Sequence, residues 1–243
     1  MTTVIDLDKK CAICTETSPQ SILTSTSTWG YPDLDLRPSE MQRSSMFAWL
    51  QECPYCGFVA RDIEQTHVKV APDFLKSDEY LTCEGHDFKS DLAKRFYGHY
   101  LISKTNNIQD VAFYSLLHCA WVCNDNNDDF AVDIRKLALK SLDKVDAKND
   151  DERDNLKLIK ADLLRRSLQF DELIKEFKEV FFEVELPPTF KKLGILDFLT
   201  YPLLSGMLIL SSRYPRTAGH DNPNRDLSLL FFLGLILILH FLY

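Results

Sequence analysis

Two Cys-x-x-Cys pairs, Cys11-Ala-Ile-Cys14 and Cys53-Pro-Tyr-Cys56, are the residues of this chain whose type and spacing speak most directly to chemistry. A Cys-x-x-Cys turn presents both sulfurs to one side, so two such turns can close a tetrahedral four-thiolate shell around zinc. Gly57, directly after the second pair, fits that role. A glycine there accepts positive φ and lets backbone amides approach the thiolates, offsetting part of their charge. The expected ligands are Cys11, Cys14, Cys53 and Cys56, with Zn²⁺ as the cofactor and a rubredoxin-like iron site as a lesser variant. The spacer of 38 residues between Cys14 and Cys53 is longer than in many zinc ribbons.

Cys-Pro-Tyr-Cys is also the active-site sequence of glutaredoxins, in which an exposed low-pKa cysteine attacks disulfides. A thiol-disulfide oxidoreductase using Cys53-Pro54-Tyr55-Cys56 is therefore the alternative reading. Local context opposes it. A thioredoxin-type fold starts a helix at the first cysteine, whereas Gly57 and the following Phe58-Val59-Ala60 suit a turn leading into a strand. The glutaredoxin Thr-Val-Pro loop is missing from the sequence, and the first cysteine pair would have no purpose.

The other chemistry-bearing residues have blander readings. Cys119 and Cys123 lie four apart on an apolar helix face beside His118, and buried free cysteine is the simpler account. Cys83 with His86 is discounted in the same way, and His67 and His99 have no partner at ligand spacing. Between the cysteine pairs runs Trp29-Gly-Tyr-Pro-Asp-Leu-Asp-Leu-Arg-Pro38. Read as extended chain, it puts Asp33, Asp35 and Arg37 on one face and Leu34 and Leu36 on the other. The leucines would pin the loop to a core, and the charged face would hold itself by a carboxylate–guanidinium pair. A ligand-binding use of Arg37 with Asp33 or Asp35 lacks the nucleophile, phosphate loop or His–Asp pair that would accompany a catalytic site.

The order of these pieces, with Arg43-Ser-Ser-Met-Phe-Ala-Trp49 and Gln51-Glu-Cys-Pro-Tyr-Cys-Gly-Phe-Val-Ala60, resembles a largely bacterial family of uncharacterised proteins. That family has a zinc-ribbon-like front and a helical, often tetratricopeptide-like rear. The resemblance runs over about residues 9 to 180 and implies metal binding at the four cysteines named above. It implies no activity.

The elements that would position these residues follow from periodicity and composition. Residues 1–70, with Ser, Thr, Pro and Gly between short β-prone pieces such as MFAWLQEC and GFVARDI, read as a small metal-clasped module. Residues 72–184 turn helical in pattern. Val111, Tyr114, Leu117, His118, Trp121 and Val122 fall on one side of a helix, and a second helix follows the turn-forming NDNND. Leu156, Ile159, Leu163 and Leu164, then Phe170, Ile174 and Phe177, mark another helical hairpin. With Ala161 and Phe170 placed as in a tetratricopeptide unit, it fits either one such unit or a plain helical bundle. The fold class expected is mainly α, a zinc-ribbon-like β module followed by a helical-hairpin body that would dock protein partners.

At 45% hydrophobic and 26% charged residues the composition is that of a globular protein. The formal charge of −8 argues against a general nucleic-acid binder, which needs a cationic field. The N-terminus has no apolar run suited to secretion, so a reducing cytoplasmic setting is expected, in which seven cysteines read as metal ligands and free thiols rather than as a disulfide framework. Residues 185–243 form an apolar tail. Its last 17 residues, Leu227 to Tyr243, contain no acid, Lys or Arg, the lower limit for a spanning helix. Arg213, Arg216 and Arg225 before it would keep the remainder cytoplasmic. Membrane anchoring there competes with an aberrant chain end.

Overall fold

The computed structural model describes residues 1–64, 68–82 and 85–182. The expected class holds: small β-hairpins carry the four cysteines at the front, and stacked helices follow. Strands β1 (Thr3–Lys10) and β2 (Thr17–Ser25) pair antiparallel, with the first cysteine pair in the turn between them. Strands β3 (Gln51–Glu52) and β4 (Val59–Ala60) form a second antiparallel hairpin around the second pair. The sequence reading of MFAWLQEC as β-prone is corrected in part. Residues Arg43–Ala48 wind into a 3₁₀ turn, and only Gln51–Glu52 pair as strand. Met46 and Leu50 come to the core this way, while Trp49 turns toward the helices.

The helical body comprises α1 (Asp78–Leu81), α2 (Asp91–Thr105), α3 (Gln109–Asp125), α4 (Ala131–Leu142), α5 (Asp150–Arg166) and α6 (Phe170–Phe182). Each long helix packs on its neighbour in sequence. Their starts and stops are legible in the chain. Asn149 caps α5 by accepting from the Glu152 amide at 2.8 Å, while the Glu152 carboxylate accepts from the Lys148 amide at 2.7 Å. The first bond satisfies one of the amides a helix start leaves orphaned, and the second ties the residue before the cap to the first turn. Asn107 and Asn127, at φ +58° and +51°, turn the chain after α2 and α3, a conformation asparagine tolerates better than most residues.

Helix α3 is the axis of the body. Ala112, Phe113, Leu116, Cys119 and Ala120 are buried against neighbouring helices, and Tyr114, Leu117, His118 and Trp121 face the loop that joins the two hairpins. The buried apolar cluster is continuous from Cys11, Cys53 and Phe58 to Leu117 and Ile159. The fold of the front is therefore tied to the packing of the rear. Among the described residues, no helix is long and apolar enough to cross a membrane. The anchoring expectation falls on residues 227–243, outside the described residues.

Candidate metal centre

The two cysteine turns are built alike. In the first, the Thr15 amide donates to the Cys11 carbonyl at 2.9 Å and the Cys11 amide to the Glu16 carbonyl at 2.8 Å. In the second, the Gly57 amide donates to the Cys53 carbonyl and the Cys53 amide to the Phe58 carbonyl, both at 2.9 Å. Thr15 and Gly57 hold equivalent places and both have positive φ, +65° and +74°. The expectation for Gly57 is met, and Thr15 does the same work without glycine's freedom.

Facing each other, the turns bring Cys11, Cys14, Cys53 and Cys56 together with their sulfurs all within 4.8 Å of one another. Cys11 Sγ stands 3.7 Å from Cys56 Sγ, and Cys14 Sγ stands 3.5 Å from Cys53 Sγ. Four sulfurs at about 2.3 Å from a central zinc would be separated by about 3.8 Å along each tetrahedral edge, whereas a disulfide needs about 2.05 Å. The cluster is thus a four-cysteine group able to hold a metal ion.

Burial and backbone amides act in opposite senses on the thiols of the cluster. Burial pushes the Cys53 and Cys56 thiols up, against the pull of backbone amides: those of Tyr55 and Cys56 on Cys53, and that of Phe58 on Cys56. At Cys14 burial also pushes up, but the Glu16 amide and the neighbouring sulfurs outweigh it and the thiol lies below its ordinary value. Thiolates turned inward with amides aimed at them are completed by a metal's charge. A redox cysteine needs instead an exposed sulfur with depressed pKa. Cys53 is fully buried, and its motif leads into strand β4 rather than a helix.

Side chains far apart in sequence fix the two turns. The Gln20 amide donates to the Glu52 carbonyl at 2.9 Å while its oxygen accepts from the Glu52 amide at 3.2 Å, so one side chain imitates a strand partner between β2 and β3. Gln51 accepts from the Ile63 amide at 3.0 Å, and the Ala12 amide donates to the Ile63 carbonyl at 2.9 Å, closing the segment after β4 onto the first turn. Lys9 reaches Glu64 at 2.7 Å. From the helical side, Tyr80 on α1 donates its hydroxyl to the Gly57 carbonyl at 2.6 Å, and Arg95 on α2 pairs with Glu52 at 3.1 Å. None of these supports was singled out from sequence. Buried glutamines leave no periodic signal.

The run between the turns is corrected by the structure. It is not extended: the chain bends at Leu34–Asp35, and Leu36 has φ +60°. The faces invert, with Leu34 64% exposed and Asp35 1% exposed. Nor do its charges pair among themselves. Asp33 bonds Arg43 at 2.6 Å. Asp35 accepts from the Trp121 indole at 2.6 Å, with Arg166 at 3.5 Å. Arg37 makes a two-pronged bond to Asp125 at the end of α3. The expectation failed because the partners of Asp35 and Arg37 lie on α3 and α5, beyond any local pattern. These residues fasten the loop to the helices.

Cys119 and Cys123 are buried, as the simpler reading expected, and Cys119 donates to the Ala93 carbonyl at 3.3 Å. His86 stacks on Phe130 at 4.1 Å and pairs with Asp128. His99 bonds Ser115 at 2.7 Å. Cys83 and His67 lie outside the described residues.

No protein-family model, curated protein or solved structure matches this chain. What stands of the family resemblance is the four-cysteine cluster on hairpins and the helical body behind it.

Proposed function

We propose that the protein is a zinc-stabilised, non-enzymatic adaptor. One structural zinc at Cys11, Cys14, Cys53 and Cys56 holds the front module, and the helical body offers the surface for a protein partner. The observation that carries the metal reading is the convergence of four sulfurs within 4.8 Å from two turns of equivalent hydrogen bonding. All four protein positions of a tetrahedral shell are supplied, which is the closed arrangement of structural rather than catalytic zinc. Zinc would neutralise thiolates that burial disfavours and couple the folding of the hairpins to metal binding.

Metal analysis of the purified chain tests this, with about one zinc per chain expected for one four-thiolate shell. Cys53→Ser should unfold the front, since binding at such sites contributes on the order of 10 kcal/mol. Cys119→Ser, away from the cluster, should keep the zinc. A metal-free chain that is fully folded would refute the reading. Chelator-independent turnover of glutathione disulfide that vanishes in Cys53→Ser would put the oxidoreductase in its place.

A further inference from the structure

A cleft of about 390 Å³ lies where the loop carrying Thr28 to Gln42 meets α3 and Ile159 of α5. Its wall is built from Trp49, Tyr114, Trp121 and His118 together with Leu117 and Ile159. That is the size and make-up of a small-molecule site, mostly aromatic and apolar with a few polar groups.

His118 is the unusual member. Four rings surround it: Trp121 at 4.8 Å, Trp49 at 5.1 Å, Phe96 at 5.3 Å and Tyr114 at 6.4 Å between centroids. Among the described residues its ring nitrogens make no hydrogen bond, in contrast to His99, which has Ser115. A neutral imidazole offers one donor and one acceptor. Burial first, and then Arg61, His99 and Arg37, hold its pKa down to about 3, so it is uncharged at neutral pH. The side-chain amide of Gln42, also on the wall, likewise brings a donor and an acceptor that no described residue engages.

Charge narrows the ligand class. Among the described residues no Lys or Arg lines the cleft, which disfavours phosphate or carboxylate. Among the described residues its one carboxylate, Asp35, is already taken up by Trp121 and Arg166, and the charges acting on His118 are positive, which disfavours an ammonium despite the aromatic walls. What the wall complements is a face to stack and an edge to hydrogen-bond.

We propose that this cleft binds an uncharged, flat heteroaromatic ring of nucleobase or indole type, stacked between the partly exposed Trp49 and Tyr114 and hydrogen-bonded by His118 and Gln42. The proposal is independent of the metal reading.

The test uses the full chain as purified, titrated with adenine, indole, phenyltrimethylammonium and benzoate. Binding is followed by tryptophan fluorescence and by the His118 ring resonances. At least one neutral ring should saturate and shift those resonances, with the two charged probes at least about tenfold weaker, the scale of one buried hydrogen bond. His118→Phe keeps an aromatic ring but removes both hydrogen-bonding atoms, and should weaken binding by about tenfold. Thr28→Trp adds bulk at the exposed rim of the cleft and should weaken it as much; it stands in should His118→Phe fail to fold. The proposal falls if neither neutral ring saturates, if a charged probe binds as tightly, or if binding is unchanged in Thr28→Trp.

Discussion

Asp35 and Trp121 are joined by a 2.6 Å hydrogen bond across 86 residues of sequence, and through it the loop between the two cysteine turns is fastened to the central helix. The carboxylate is 1% exposed and has Arg166 at 3.5 Å on the same oxygen. Trp121→Phe leaves a buried carboxylate short of a donor and opens space beneath the loop. The expected loss is about 2–4 kcal/mol in urea unfolding. Asp35→Asn keeps an acceptor for the indole but gives up the pairing with Arg166 and the oxygen that accepts from the Arg37 amide at 3.3 Å, so it should cost about 1–2 kcal/mol. Equal effects of the two would show that the hydrogen bond is not what fastens the loop.

Thr15 and Gly57 share a conformation but not a side chain. A β-branched residue at positive φ is strained by about 1–2 kcal/mol, and glycine is not. Thr15→Gly should therefore stabilise the metal-loaded protein by up to about 1 kcal/mol, once the entropy of a freer unfolded chain is subtracted. Gly57→Thr should destabilise it by about 1–2 kcal/mol. An added Cβ at Gly57 meets nothing nearer than Tyr80 at 3.9 Å, so the effect is one of backbone conformation and not of crowding. Opposite signs at the two sites, read as unfolding midpoints at fixed metal concentration, are the signature; a destabilised Thr15→Gly would count against it.

The contrast between these two regions shows what the chain discloses and what it hides. Gly57 was legible because a glycine after Cys-x-x-Cys answers a local backbone demand, and the four cysteines because two turns of one type imply a shared ligand. Helix α3 is legible through spacing in part: of the six residues assigned to one face, Tyr114, Leu117, His118 and Trp121 line one cleft, while Val111 and Val122 are not in its lining. The inward turn of Asp35 and Arg37 was not legible, because alternation in a short run assumes a straight strand. That run bends, and the donors and acceptors that reward the bend are Trp121, Asp125 and Arg166. Gln20 and Tyr80 were missed for the same reason: their polar atoms serve backbone groups dozens of residues away.

Tyr80 and Gly98 give a packing prediction. A Cβ at Gly98 would sit 2.9 Å from the Tyr80 hydroxyl and 3.1 Å from its ring carbon, and the ring is held by its bond to the Gly57 carbonyl. Gly98→Ala gains about 1 kcal/mol of helix propensity in α2 but meets an overpacking cost of about 1–3 kcal/mol. The net expectation is a modest loss in the wild-type background. In a Tyr80→Ala background the same substitution should become stabilising by about 1 kcal/mol. Loss of that sign change in the double-mutant cycle would remove Tyr80 as the element that lets α2 approach the second cysteine turn.

His99 and His118 contribute to the acid sensitivity of the helical body. Ser115 gives its proton to the Val111 carbonyl at 2.7 Å, which leaves His99 Nδ1 to donate to the Ser115 oxygen and fixes the tautomer of the neutral ring. Burial, with Arg61 adding repulsion, lowers the pKa of His99 to about 4, and burial with Arg61, His99 and Arg37 lowers that of His118 to about 3. Unfolded, both would titrate near the ordinary histidine value of about 6.5. Between these limits the unfolded chain binds more protons than the folded one, so stability rises with pH through this window. It is fully present above about pH 6.5 and is lost as pH falls toward 4 and then 3, by an order of a few kcal/mol. Protonation of the cysteines would act in the same direction on any metal-loaded front, so overall acid denaturation cannot separate the two. The ring resonances can. In the folded protein the His99 and His118 signals should show no titration between pH 8 and about 5. His99→Gln should flatten the acid limb of the stability curve without changing metal content. A midpoint near 6.5 for either buried ring would contradict this account.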